Sequence, residues 1–272
     1  MGKATIKCLL KKTGGENIIA IVRDPAKLSE FEDAGITMRK ADYEDMDSLN
    51  EALKGIDTLL QISTTSMGER GIGQELNVVE AAKRQGVDCI VYTSGLKPNN
   101  KARFLAVQQC LRTEEAILNS GMSYTFLRNS LYMETIPLFM GNAIEEGGFH
   151  LSAGKGKVSF VLREDIAEAL CTVLTGEGHR NKIYEIKGSD SFSFDDIAAL
   201  LSENQGRRIA YVDVPEEVLK EELQKSGMPK EETDWFLSLT ESIRHNEFAY
   251  VEDALEHLIQ RKPQTLQEYL KR

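Results

Sequence analysis

Long hydrophobic runs are missing from this sequence. No segment approaches the roughly 18 consecutive apolar residues of a membrane-spanning helix, so no membrane association is expected. The opening residues, Met1-Gly2-Lys3-Ala4-Thr5-Ile6-Lys7, hold neither an apolar core nor a small-residue cleavage site. A signal peptide is therefore not expected, and a cytoplasmic location is the default. Cysteine is scarce: Cys8, Cys89, Cys110 and Cys171 match no zinc spacing and no Cys-x-x-Cys pair. Three of them, Cys8, Cys89 and Cys171, stand among apolar neighbours and read as core thiols. The four histidines are scattered as well, so no metal site is predicted. Basic runs are absent; Lys11-Lys12 and Arg207-Arg208 are only pairs. A net charge of −10 repels phosphate backbones and argues against direct nucleic-acid binding. Repeats and low-complexity linkers are also lacking. What remains is 272 residues, 41% hydrophobic, enough for one large or two small domains with a buried core.

What is present is alternation. Asn17 to Arg23 is a β-branched run, too short for a helix and apolar enough for a buried parallel strand. Asp24-Pro25 supplies an N-cap and a proline at the first helical position, and the helix should stop at Gly35. Strands are expected at Ile36–Lys40, Asp57–Ser63, Cys89–Thr93 and Tyr124–Arg128. Helices are expected near Asp47 to Gly55, at Gln74–Arg84 and at Phe104–Asn119. Short connections between alternating strands and helices predict a doubly wound α/β fold with a parallel sheet. The second half is less regular. Strands are expected at Val158–Val161, Lys182–Lys187 and Arg208–Val212, with a helix from Arg163 to about Leu174. Ser193-Phe194-Asp195-Asp196 is a capping box that opens a further helix.

One element of a dinucleotide-binding sheet is not found. Such a sheet starts with a strand, then a glycine loop, then a helix whose N-terminus meets the pyrophosphate. Here the first helix is expected at Lys3–Lys11, with Ile6, Leu9 and Leu10 as its apolar stripe. The spacing from Gly2 to Arg23-Asp24 is that between the last fingerprint glycine and the ribose-reading position. Gly2 therefore stands where the third glycine belongs, and the first strand and its loop are expected to be absent. Gly14-Gly15 reads as a turn. Gly68, Gly71 and Gly73 follow a strand and precede a helix; they are expected to form a loop along the cofactor edge.

Several segments carry a resemblance. They are Arg23 closing Ile19–Arg23, Ala41-Asp42-Tyr43, Val91-Tyr92-Thr93-Ser94, Arg112-Thr113-Glu114-Glu115 and Tyr124–Asn129. Val251-Glu252-Asp253 and Lys262–Leu266 complete the series. Together, in order, they resemble the NmrA-like, atypical short-chain dehydrogenases, and within them the NAD(P)H:quinone (or azo-dye) reductase branch. The resemblance implies a Rossmann-like sheet of strand order 3-2-1-4-5-6-7, here without its first strand. A truncated Rossmann NAD(P)-binding domain is expected at 1–187. A smaller C-terminal α/β domain on the substrate side is expected at 188–272, with a contribution from about 130–157. The implied cofactor is NADP (NADPH), with NAD as the alternative.

Carried over, Arg23 resembles the guanidinium that pairs with a 2′-phosphate; its planar fork suits a phosphate. Asp42 and Tyr43 resemble the adenine edge. Gly2 marks the helix N-terminus. Ile62, Ser63 and Thr64 would face ribose and pyrophosphate, and Tyr92, Thr93 and Ser94 the nicotinamide. Asn129 and Tyr132 would line the substrate cleft. Two departures stand out. No Tyr-x-x-x-Lys occurs, so the usual proton relay is missing and no catalytic residue is assigned; hydride transfer to a quinone depends more on positioning. And Cys110 stands where many relatives have histidine or lysine.

Three functions stay open at this level. The first is an NAD(P)H-dependent oxidoreductase that reduces quinone-like acceptors. The second is a non-catalytic NAD(P)-sensing regulator. The third is a copy that binds no dinucleotide because the phosphate loop is missing. A homo-oligomer is left open.

Overall fold

The computed structural model describes residues 1–271. In chain order it contains α1 (Gly2–Leu9), β1 (Ile19–Val22), a 3-10 segment (Pro25–Ala34), β2 (Thr37–Lys40), α2 (Met46–Ala52) and β3 (Thr58–Ile62). Next come α3 (Gly68–Arg84), β4 (Cys89–Gly95), α4 (Leu105–Ser120) and β5 (Ser123–Asn129). The short elements α5 (Ile136–Met140), α6 (Ala143–Glu146), β6 (Gly148–Leu151) and β7 (Lys157–Val158) follow. The chain ends with α7 (Arg163–Thr175), β8 (Lys182–Ile186), β9 (Phe192–Ser193), α8 (Phe194–Gln205), β10 (Ala210–Asp213), α9 (Glu216–Lys225), α10 (Lys230–Arg244), α11 (Ala254–Ile259) and α12 (Leu266–Leu270).

The local signals explain these elements. Asp24 accepts a hydrogen bond from the Ala26 N–H, Pro25 opens the following segment, and Gly35 stops it in the left-handed region. That segment is 3-10 rather than the expected α-helix, with a kink at Leu28. Leu28 and Phe31 are nevertheless buried, packed with Ile6 of α1, Leu10 just after it and Val22 of β1. Asp45 caps α2, two residues before the expected start at Asp47. The Ser193–Asp196 capping box forms as read.

The strands alternate with helices as expected, but the parallel sheet is in two pieces. β1 pairs in parallel with β2, Ile19 opposite Thr37. β3 pairs in parallel with β4, Thr58 opposite Cys89, and the order continues β3-β4-β5-β8. The Ser123 N–H reaches Asp88 at the start of β5, and the Ser130 N–H reaches Ile186 at its end. Among the described residues no strand pairs with the second edge of β1 or of β3. This division, β2-β1 and β3-β4-β5-β8, is what the order 3-2-1-4-5-6-7 gives with its first strand left out.

The chain forms two compact units. The first comprises Met1–Ser94, Gln109–Leu127 and Ile166–Tyr184, and the second Gly95–Gln108, Arg128–Asp165 and Glu185–Arg272. In the first, Leu49, Leu53, Val78, Val79, Ile90, Ile117 and Phe126 form the main core. The second is built around Phe104, Met133, Ile136, Phe160, Phe194, Ile243 and Phe248. It also contains two small sheets, β10 parallel to β6 and β7 antiparallel to β9. β6 has no forecast in the sequence: four residues, Gly-Phe-His-Leu, are too few to show a period. No helix among the described residues is long and apolar enough to cross a membrane.

Candidate functional site

In a parallel sheet the strands present their carboxyl ends along one edge, and ligands lie outside that edge. In the first unit, β1 ends just before Arg23, β2 just before Asp42 and Tyr43, and β3 at Ile62. Hydrogen bonds tie these ends together. The Tyr43 hydroxyl donates to the Ile62 carbonyl over 3.3 Å. The Ala41 N–H reaches the Val22 carbonyl over 3.1 Å. The Ser63 N–H donates to Thr93 Oγ1 over 3.0 Å, which adds the end of β4. Gly2 is the first residue of α1, and a Cβ there would lie 3.4 Å from Ile62 Cδ1. The N-terminus of α1, with its free N–H groups and positive dipole end, thus stands against the carboxyl end of β3. Gly2, Arg23, Asp42, Tyr43, Ile62, Ser63, Thr64 and Thr93 share one edge.

Arg23 is exposed, and among the described residues its guanidinium has no ion pair or hydrogen bond. The neighbouring acids are engaged elsewhere. Glu44 holds Arg70 through Nε and accepts from Gln74, contacts that keep its carboxyl below the usual range. Asp42 closes a turn by accepting from the Glu44 N–H over 3.0 Å. Ser94 is also unpartnered: its hydroxyl oxygen is buried without a hydrogen bond. A free guanidinium and an orphaned buried hydroxyl on the edge leave unmet hydrogen-bonding capacity for a polar ligand. Among the described residues no cluster of three or more His, Cys, Asp or Glu is placed to hold a metal ion.

Two expectations need correction. Gly68, Gly71 and Gly73 lie inside α3, not in a loop. Gly71 is required by close approach: a Cβ there would sit 2.1 Å from the Ser66 carbonyl oxygen. The glycine lets the helix start directly beneath the β3–α3 connection. Tyr92 does not present its ring to the edge. It is fully buried against Phe126 at an interplanar angle of 87°, and its hydroxyl donates to Glu75 over 2.5 Å.

Glu75 was not singled out from the sequence. It is fully buried and accepts from Tyr92, from Thr113 Oγ1 over 2.5 Å, from the Thr64 N–H over 2.9 Å and from Gln109 Nε2 over 3.4 Å. Cys110, at the position of the second departure, is buried and faces the Tyr92 hydroxyl. The signal for Glu75 was a charge in the apolar phase of α3, in line with Gly71, Val78, Val79 and Ala82. Lys, Glu, Arg and Asp are rarely buried unless paired.

Burial and the Glu75 charge raise the Tyr43 phenol to about 12, against a smaller opposing effect of Arg23. Burial also raises Tyr92 well above its ordinary range. The folded protein therefore keeps protons that the unfolded chain loses from about pH 10. The sign follows: the contribution to stability is complete below pH 10 and is lost as pH rises through about 12. Comparing Tyr43→Phe with the parent in a 295 nm phenolate titration should place the missing step near pH 12. A missing step near pH 10 would overturn this.

In the second unit, Asn129 ends β5 and is 5% exposed, yet neither its amide nitrogen nor its amide oxygen has a hydrogen-bond partner. Tyr132 is half-buried, its ring 4.7 Å below the Arg163 guanidinium.

The NmrA-like family profile matches residues 1–270. The chain belongs to the NmrA-like family. Among relatives of this NmrA-like chain, quinone oxidoreductase 2 of Escherichia coli (strain K12) is 37% identical over 229 residues, 84% of this chain and 79% of that protein. The NAD(P)H azoreductase of Xenophilus azovorans is 28% identical over 257 residues, 93% of this chain and 87% of that protein. Among solved structures, the Escherichia coli NADPH-dependent quinone oxidoreductase complexed with NADPH superposes with a TM-score of 0.93. It is 33% identical, covering 99% of this chain and 94% of that one. The Citrobacter sp. triphenylmethane reductase complexed with NADP(H) gives a TM-score of 0.91 at 34% identity, covering 99% and 95%. The parallel α/β class expected from the strand–helix alternation, and the Rossmann-like fold implied by the family resemblance, are thereby established.

Proposed function

We propose that this chain is an NADPH-dependent reductase of quinone-like acceptors. The observation that carries the reading is the unpaired Arg23 guanidinium at the end of β1, on the edge that also holds Gly2, Ile62, Ser63 and Thr93. NADPH-binding quinone and dye reductases among the relatives support it.

The residues present fit the cofactor. Arg23 would take the 2′-phosphate through its planar fork. Asp42 and Tyr43 would border the adenine. The N-terminus of α1 at Gly2 would offer N–H groups to the pyrophosphate. Ile62, Ser63 and Thr64 would border the ribose, and Thr93 and Ser94 the nicotinamide end. NADPH, when bound, supplies a hydride. The protein's share is binding and orientation, and Asn129 offers an amide donor and acceptor to the oxygen of a quinone-like acceptor. Tyr132 would add an aromatic face beside it.

The test is direct titration with NADPH, followed by its oxidation at 340 nm with a panel of benzoquinones and naphthoquinones. Micromolar binding and turnover are expected. Tight binding of oxidised and reduced cofactor without turnover would instead support a sensor. A competing reading, in which no dinucleotide is bound, draws on the pairing among the described residues, where β1 pairs only with β2 and β3 only with β4. Absence of NADPH binding would decide for it.

A further inference from the structure

Burying a carboxylate costs several kcal/mol unless donors replace its water. Glu75 has four donors and they divide by oxygen. Oε2 accepts from the Tyr92 and Thr113 hydroxyls, on β4 and α4. Oε1 accepts from the Thr64 N–H and Gln109 Nε2. The first pair locks Glu75 to the core. The second pair reaches the connection after β3. Gln109 also donates to the Ser66 carbonyl over 3.4 Å, and Gln74, next to Glu75, accepts from Thr64 Oγ1 over 2.6 Å. Thr64 Oγ1 in turn accepts from the Ser66 N–H over 3.2 Å. Ser63 is tied to Thr93. Ser63, Thr64 and Ser66 of this connection are thus each held by hydrogen bonds, with the Glu75 carboxylate accepting from the Thr64 N–H.

A stable fold alone does not require this arrangement. Replacing a whole buried ionic network by apolar residues of similar volume often leaves stability unchanged or improves it, whereas removing the carboxylate alone strands its donors. What the charge adds is directional: a backbone N–H at Thr64 is fixed from beneath, so Ser63 and Thr64 keep one orientation at the carboxyl end of β3. Gly71 serves the same packing by admitting the Ser66 carbonyl.

We propose that Glu75 is a positioning residue for the dinucleotide: through Oε1 it holds the Ser63–Ser66 connection in its binding conformation, and so sets cofactor affinity without touching the cofactor. This rests on the NADPH reading above.

The experiment compares Glu75→Gln with Thr113→Val. Both alter the buried network, but only the first removes the negative charge that Oε1 presents to the Thr64 N–H and Gln109. NADPH affinity, thermal midpoint and amide exchange at Ser63–Gly71 are measured for each. Expected for Glu75→Gln is an NADPH Kd raised about tenfold, equivalent to about 1.4 kcal/mol, with faster exchange in that segment. Thr113→Val should lower the midpoint while leaving Kd within about twofold. An unchanged Kd in folded Glu75→Gln overturns the proposal. So does a Kd that merely follows the midpoint in both variants. Should Glu75→Gln not fold, Gln109→Leu, which removes the contacts to Oε1 and Ser66, must raise Kd at least threefold; no rise overturns the proposal. If the parent protein itself binds no NADPH, the functional reading fails first, and the two failures are distinct.

Discussion

Replacing Arg23 by alanine is expected to lower kcat/KM for NADPH by about 10- to 100-fold and to leave that for NADH within about threefold. The estimate follows from charge-assisted hydrogen bonds, each about 1.5–3 kcal/mol, with 1.4 kcal/mol per tenfold. The asymmetry is the informative part. Arg23 is exposed and unpaired, so its removal breaks no ion pair and should not move the melting temperature. Arg70, the other cation by Glu44, is held by that carboxylate and is a poor substitute. Lysine at position 23 should recover only part of the NADPH preference, because a point charge does not match a phosphate bidentately. An equal loss for NADPH and NADH would mean that Arg23 does not read the 2′-phosphate. The same experiment separates NADP from NAD as the cofactor.

The edge that carries Arg23 was legible because strand ends are legible. A β-branched run followed by Asp24-Pro25 marks where β1 must stop, and the residue at that stop is Arg23. Asp42-Tyr43, Ile62–Thr64 and Thr93-Ser94, carried over from the family resemblance, follow or close strands in the same way. It failed where position along a strand was read without face. Tyr92 adjoins Thr93 in sequence, but its ring belongs to the core with Phe126, and its hydroxyl serves Glu75. Neighbours in a strand point to opposite faces, so three consecutive residues cannot all offer side chains to one side. The glycines at 68, 71 and 73 misled for another reason. Glycine after a strand reads as loop, whereas Gly71 is there because a helix and the Ser66 carbonyl meet too closely for a Cβ. The helical phase of α3 marks Glu75 as a buried charge, but its partners are invisible to any spacing rule: its four donors come from residues 64, 92, 109 and 113, and only the fold assembles them.

Some short motifs behind the family resemblance have structural rather than chemical reasons. In the second unit, Glu252 lies 3.0 Å from the ammonium of Lys187, which is fully buried. The Lys262–Leu266 motif is explained by Asp165. That carboxylate, 2% exposed, accepts from Arg261 over 2.6 Å and from the Gln264 N–H over 2.7 Å. Pro263 lies between them. Thr265 and Glu268 then form the capping box of α12, and Leu266 enters the core of the second unit.

Asp165→Asn should therefore destabilise the chain clearly. It keeps the volume but turns one acceptor into a donor facing a donor, and removes the carboxylate charge that faces Arg261. Breaking a buried pair costs about 3–5 kcal/mol. Arg261 is 47% exposed and can recover water, which reduces the figure to about 2–3 kcal/mol, or a midpoint lower by roughly 4–12 °C. The damage should be directional. The Gln264 N–H loses part of its buried acceptor, so the segment carrying Leu266 should detach before the rest unfolds. Carboxypeptidase trimming should then reach past Leu266 in Asp165→Asn at temperatures where the parent resists. Arg261→Gln, which retains the Gln264 bond, should cost less than half as much. Equal losses in the two variants would show that the exposed ion pair, rather than the buried backbone contact, anchors the C-terminal segment.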